Sequence, residues 1–232
     1  MILIYGLDLS FNSTGITCMQ MDDSFVGEKI TFGRVVYDLK LTRKRHLGIN
    51  TLSYSMPHSV TPSDLLLDPN DENNYTQTDS TLRAISCSNA ITSFCLSTIK
   101  SDSKPNAIIV CIENYIMPSF GGPNSLPEVS GLITLQAFVR KFFLTFCHKY
   151  KITIKMLTPS PSSVKKMFAG IGKAEKEQMY DAFVKYWKGL TLLPTSTPDD
   201  VKHINDVIDS FAMTCWAYKS LINHKDNLYN II

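Results

Sequence analysis

The sequence predicts an α/β fold built on a mixed five-stranded sheet flanked by helices. Three observations carry this. Strand-like runs come first, and strand and helix patterns then alternate, the order expected of α/β folds with a mixed sheet. Residues 107–112, Ala-Ile-Ile-Val-Cys-Ile, form an unbroken apolar run, the mark of a strand covered on both faces. The chain has 232 residues, 44% of them hydrophobic and 19% charged, and its mean hydropathy is -0.02. That balance excludes wholesale disorder and collagen-like or coiled-coil rods.

The elements follow in order. Residues 2–8 are an apolar β-type run ending at Asp8. Residues 14–20 and 31–38 read as further strands about the Asp22-Asp23-Ser24 turn, so the chain opens with a three-stranded meander. Residues 39–80 differ in character. They begin basic (Arg43-Lys44-Arg45-His46), pass through Pro57, Pro62 and Pro69, and end in a stretch rich in Asp. The expectation is a loop inserted into a single domain spanning 1–232. Residues 81–99 have helical apolar spacing, and 107–112 are the buried strand. A loop holding Pro118, Gly121, Gly122, Pro123 and Pro127 follows. Residues 129–148 form a strong helix with two apolar faces, one for the core and one for a further contact. Residues 152–157 alternate as the fifth strand, and helices are expected over 160–168, 173–188 and about 200–222.

No uninterrupted apolar run approaches the roughly 18 residues that span a bilayer, and the opening residues lack the basic start of a signal peptide. No membrane association is expected. The six cysteines form no C-x-x-C pair and sit mostly in apolar runs, so they read as free thiols in a reducing compartment. Charge is uneven. Residues 140–188 hold eleven basic and three acidic residues, a net of +8, which leaves −6 for the rest. A basic third on an acidic chain suits a polyanion such as nucleic acid; lysines on solvated helix faces are the plainer reading.

Carboxylates stand in three places where a globular fold does not need them. Asp8 ends the first buried strand, before a turn holding Ser10, Asn12, Ser13 and Gly15. Glu113 ends the most hydrophobic strand. Asp206 and Asp209 are three apart on the last helix and share a face that leads into Phe211, Ala212 and Met213. If the three elements converge, four like charges share one site, and their repulsion raises their pKa values unless a cation neutralises them. Only hard oxygen ligands are offered, which selects Mg²⁺, with Mn²⁺ as a substitute, over Zn²⁺. Two such ions activate water and stabilise the leaving oxygen in phosphodiester hydrolysis. His203, one turn before Asp206, is within reach of such a site; an exposed, hydrogen-bonded histidine is the plainer reading.

Residues 163–176, Ser-Val-Lys-Lys-Met-Phe-Ala-Gly-Ile-Gly-Lys-Ala-Glu-Lys, join a short basic helix to a Gly-x-Gly turn and a second helix. Such a turn exposes backbone N–H groups beside a helix N-terminus, which suits phosphate. It is not a Walker A loop, because Ala174 follows Gly172-Lys173. Lys165, Lys166, Lys173 and Lys176 add positive charge to this stretch.

With these residues in hand, the chain resembles the RuvC family of Holliday junction resolvases, of the ribonuclease H-like superfamily. Four blocks in order carry the resemblance: Ile4-Tyr5-Gly6-Leu7-Asp8-Leu9-Ser10 with Thr14-Gly15; Cys111-Ile112-Glu113-Asn114; Val164-Lys165 through Gly170-Ile171-Gly172-Lys173-Ala174-Glu175-Lys176; and Asp206-Val207-Ile208-Asp209-Ser210-Phe211-Ala212. The resemblance implies a crossover junction endodeoxyribonuclease with the superfamily's five-stranded sheet. Asp8, Glu113, Asp206 and Asp209 would hold two Mg²⁺ ions. Lys165 and Lys176 match lysines near the scissile phosphate and junction backbone. Tyr115 and Phe120, in the loop after Glu113, are candidates for an aromatic at the junction centre. Helix 129–148 would form a homodimer interface, and a two-fold dimer suits two symmetric nicks. The chain departs from the family in the length of 39–80 and in the loop 114–128. It reads as a divergent, phage or viral type of member, cytoplasmic in a bacterial or phage-infected host cell.

Rival readings divide on particular residues. A proofreading-type exonuclease wants D-x-E on the first strand, where this chain has Asp8-Leu9-Ser10. A ribonuclease H carries its glutamate on a helix, whereas Glu113 ends a strand. A sugar-kinase or actin-like ATPase needs two duplicated lobes. A broader flap-, Y- or fork-cutting nuclease and a non-catalytic junction-binding protein stay open.

Overall fold

The computed structural model describes residues 1–24, 27–37, 49–55, 72–99, 104–114, 126–188 and 204–223. Its first strand, β1 (Ile2–Asp8), is buried on both faces, so its residues divide by parity. Leu3, Tyr5 and Leu7 join one core cluster, and Ile2 and Ile4 join the other. Around it form β2 (Ser13–Met21), β3 (Gly27–Tyr37), β4 (Ile49–Tyr54), β5 (Ala107–Ile112) and β6 (Thr153–Leu157), in the order β4-β3-β2-β1-β5-β6. The β1–β2 and β2–β3 pairs are antiparallel, whereas β1–β5, β5–β6 and β3–β4 are parallel. The sheet is mixed and helices flank it, as the sequence predicts.

Among the described residues it has six strands, not five. β4 lies within 39–80, the stretch expected to be only an inserted loop. It is a short edge strand with an uneven burial pattern, which is why alternation did not disclose it. The first helix, α1 (Glu72–Ile99), also begins inside that stretch. The rest of 39–80, apart from Ser55, lies outside the described residues.

One face of the sheet is covered by α1 and α2 (Leu126–Tyr150). Leu135, Val139, Phe143 and Cys147, spaced 4, 4 and 4 along α2, are all buried there. The other face is covered by α3 (Pro161–Ala169), α4 (Lys176–Lys188) and α5 (Asn205–Ile222). Phe168, Phe183, Trp187 and Phe211 pack against one another and Phe32 there, with ring centroids 5.0–6.3 Å apart. All six cysteines are buried free thiols. By length and composition, one described helix is apolar enough to cross a bilayer: α2 over Val129–Tyr150. Arg140 and Lys141 interrupt its apolar sequence, so no continuous run reveals it. The helix carries exposed Ile133 and Leu144 away from its core stripe, and Tyr150 is exposed at its C-terminal end.

Candidate active site

Strand parity places two of the carboxylates. On β1, residues 2 and 4 face α5, and residue 8 continues that parity. On β5, Ala107, Ile109 and Cys111 face the same way, and Glu113 continues them. The parallel register Gly6↔Cys111 then brings Asp8 and Glu113 side by side at the strand ends. The Glu113 carbonyl accepts a hydrogen bond from Gln136 Nε2 at 2.9 Å, and the Asn114 N–H donates to the Pro159 carbonyl at 3.0 Å. Both contacts fix the backbone on either side of the carboxylate.

The other two carboxylates arrive on α5, and glycine admits them. Gly15, read from the sequence both as part of the turn after Asp8 and as part of the strand 14–20, lies within β2, paired with Asp8 on one side and Arg34 on the other. A Cβ at Gly15 would lie 1.9 Å from the Asp206 carbonyl oxygen, and one at Gly6 would lie 2.1 Å from that of Ser210. The helix start therefore rests directly on the backbone of β1 and β2. Thr17 and Ser210 hydroxyls, 2.8 Å apart, and the Thr214 hydroxyl bonding the Ser210 carbonyl at 3.0 Å satisfy the buried polar groups of this contact.

The electrostatics show which groups converge. Burial pushes the Asp8 carboxyl well above its ordinary range, and Asp209, Glu113 and Asp206 push it further, with Lys165 opposing. Burial also raises Glu113, with Asp209 adding and Lys165 opposing. Asp209 is pushed up to about 6, chiefly by burial; Lys165 and Lys176 lower it and Asp206 raises it. Asp206 is held differently. Its Oδ2 accepts from Arg34 Nε at 3.0 Å and from the Ser13 hydroxyl, and Arg34 Nε also donates to Ser13 Oγ at 2.7 Å.

The lysines lie beside this set. A groove of about 910 Å³ is lined by Lys165, Lys173, Lys176, Asn205 and Asp209 among others. Lys165 Nζ donates to the Ala174 carbonyl at 3.1 Å and so ties α3 to the turn before α4. Gly170 caps α3 in the left-handed conformation at φ 81°, which lets the chain reverse there. The turn's N–H groups serve the protein more than a ligand. The Ala174 N–H donates to Ile171, and the Glu175 N–H donates to Gln178 Oε1 at 3.0 Å. Phosphate affinity here therefore falls to lysine side chains rather than to those two backbone groups. Lys166 is exposed on α3 and does not line the groove. Tyr115, Phe120 and His203 lie outside the described residues.

Among the described residues, no three Asp, Glu, His or Cys side chains are gathered closely enough to hold a metal ready-made. Asp206 is instead paired with Arg34, at 3.0 Å. The donor chemistry nonetheless fits a hard divalent cation. Asp8, Glu113 and Asp209 offer only oxygen, and each is held above its ordinary range by burial. Arg34 and Ser13 are the site residues that sequence reasoning missed. Parity was the available signal for Arg34, because Ile30 and Phe32 place the even positions of β3 toward α5.

No protein-family model matches this chain. No curated protein matches it either. Among solved structures, the chain is similar to Thermus thermophilus RuvC at 13% identity and a TM-score of 0.44, over 95% of this chain and 96% of that one. It is similar to the yeast mitochondrial Holliday junction resolvase at 13% identity and 0.40, over 97% and 83%. It is also similar to the fowlpox virus resolvase, solved with Holliday junction DNA, at 13% identity and 0.41, over 95% and 99%.

Proposed function

We propose that this chain is a divalent-metal-dependent, structure-selective DNA endonuclease that resolves four-way junctions by paired symmetric nicks. The observation that carries this reading is the meeting of mutually repelling buried carboxylates with a lysine-lined groove. Asp8, Glu113 and Asp209 converge where Lys165 reaches all three electrostatically and Lys176 reaches Asp209. Asp8, Glu113 and Asp209 would hold Mg²⁺ or Mn²⁺, with Asp206 serving a second ion. Such ions activate water and stabilise the leaving oxygen of a phosphodiester. The chain's own residues do the rest. Lys165 offsets the carboxylate charge and positions the turn before α4. Lys173 and Lys176 line the groove along which a phosphate backbone would run. Affinity should come mainly from these contacts and fall steeply with salt.

Two nicks related by symmetry call for two active sites, and α2 is the candidate interface. Ile133 and Leu144 are 40% and 50% exposed on one side of α2, which suits burial against a second copy.

The test is nicking of a synthetic four-way junction in Mg²⁺, beside linear duplex and flap controls, with Asp8→Asn as the blank. Junction cutting that needs both metal and Asp8 is the expected result. Equal cutting of flaps would broaden the reading to a branched-DNA nuclease. Tight junction binding without cutting in Mg²⁺ or Mn²⁺ would replace it with a binding protein.

A further inference from the structure

Asp206 and Asp209 stand three apart on one helix, yet their surroundings differ. Asp209 faces the groove and the Asp8–Glu113 pair, where Lys165 opposes its charge. Asp206 is engaged by a cation already. Arg34 Nε lies 3.0 Å from its Oδ2, the Ser13 hydroxyl bonds the same oxygen, and Arg34 bonds that hydroxyl in turn. The three groups form a closed triangle. The sheet register brings its members within reach. Asp8, Gly15 and Arg34 are opposite one another across three strands, so Asp8 and Arg34 start about 10 Å apart on one face. Gly15 leaves the space between them empty, and the start of α5 fills it. Asp206 therefore enters with Asp8 on one flank and Arg34 on the other. Of the three carboxylates that raise Asp8, Asp206 acts least.

We infer that Arg34 is a positioning residue that occupies, beside Asp206, the place of a second cation, so that the free protein binds one divalent ion and not two. This rests on the metal-dependent reading above and deepens it. The first ion takes Asp8, Glu113 and Asp209. The second must compete with a guanidinium for Asp206, and a charge-assisted hydrogen bond in a partly buried site is among the stronger ones. The side chain of Arg34 is 22% exposed, so an incoming phosphate can reach it. A phosphate offers the guanidinium another anion to bond and would release Asp206. Second-ion binding then follows substrate rather than preceding it.

The test counts ions on the free, full-length protein, by loss of the free Mn²⁺ electron paramagnetic resonance signal during titration. The wild type is expected to bind one equivalent. Arg34→Gln should bind two, the second at least about tenfold tighter than in the wild type, because the competing conformation is removed. Arg34→Lys, which keeps the charge, should stay near one. Asp206→Asn should keep the first equivalent. Two equivalents on the wild type, or one on a folded Arg34→Gln, would overturn the inference and leave the metal-dependent reading standing. Loss of the first ion in Asp206→Asn would overturn it as well. No binding by any form would remove the metal-dependent reading and this inference together. If circular dichroism shows Arg34→Gln unfolded, the wild-type count and Asp206→Asn still decide.

Discussion

Removing the charge of Asp209 should stabilise the metal-free protein. In the fold, its carboxyl is pushed from 3.8 up to about 6, first by burial, with Lys165 and Lys176 pulling down and Asp206 pushing up. A carboxyl raised on folding favours the native state below its unfolded value. That advantage is lost as pH rises through the folded value. Between pH 3.8 and about 6 the ionised side chain thus becomes a growing liability, and above that the liability is constant. A rise of about two units corresponds to about 3 kcal/mol; partial solvation reduces this to roughly 1–3 kcal/mol. For a chain of this size, each 1 kcal/mol moves Tm by roughly 2–4 °C. Asp209→Asn should therefore raise Tm by about 2–12 °C at pH 7.5 in EDTA. The difference should shrink on acidification and vanish near pH 4. Calorimetry of both proteins across that range reads it directly. Adding Mn²⁺ should reverse the order, because the cation stabilises only the form that binds it. Equal melting at pH 7.5 in EDTA, or a less stable variant, would refute the view that these carboxylates are crowded at a common cost.

Three further outcomes follow from the geometry. Gly15→Ala drives a Cβ into the Asp206 carbonyl, so overpacking of about 1–3 kcal/mol or more should lower Tm by roughly 5 °C and abolish nicking, as read by calorimetry and the junction assay. Lys165→Ala and Lys176→Ala should each weaken junction binding or cleavage. The slope of log affinity against log salt should flatten by about 0.9 for each phosphate that a lysine no longer neutralises; unchanged slopes in both variants would remove the lysine groove from the DNA path. Ile133→Glu with Leu144→Glu places two charges on the exposed stripe of α2. In sedimentation experiments the wild type should be dimeric and the double variant monomeric, and a monomeric wild type would dismiss the interface.

Much of this architecture was legible because it rests on periodicity. The run 107–112 is β5 residue for residue, and β1 matches 2–8. Those two strands are buried on both faces, so hydrophobicity alone marks them. Asp8 and Glu113 stood out for the same reason, as charges ending runs that contain none. The helix expected over 160–168 is α3, Pro161–Ala169, with the Ser160 hydroxyl accepting from the Ser163 N–H at its start. β4 was not legible. An edge strand with one solvated side needs no strong apolar pattern, and its partner in the sheet is set by tertiary pairing with β3. The role of Gly15 was also hidden, because neither the turn after Asp8 nor the strand run 14–20 marks where a helix will press against it. Only the arrival of α5 against β2 shows that its missing side chain is what the site requires.

The inequality of Asp206 and Asp209 shows where sequence reasoning of this kind stops. Positions three apart on a helix share a face, but 3.6 residues per turn leave them about 60° apart. On an exposed helix that offset matters little. Here the helix start is wedged onto the sheet backbone at Gly15, so 60° separates two environments. One carboxylate turns toward β1, β5 and the lysines of α3 and α4, and the other turns toward β3. The spacing D-x-x-D specifies the common face, whereas the difference in partners depends on which strand lies beneath each side chain. The strand under Asp206 happens to carry an arginine at inward parity, 172 residues away in sequence. A basic residue on the buried parity of a strand has to find an anion, because its charge is otherwise desolvated without compensation. Read in that direction, Arg34 could have been sought from its own strand: Ile30 and Phe32 fix which side it faces, and the acidic start of the last helix is what waits there.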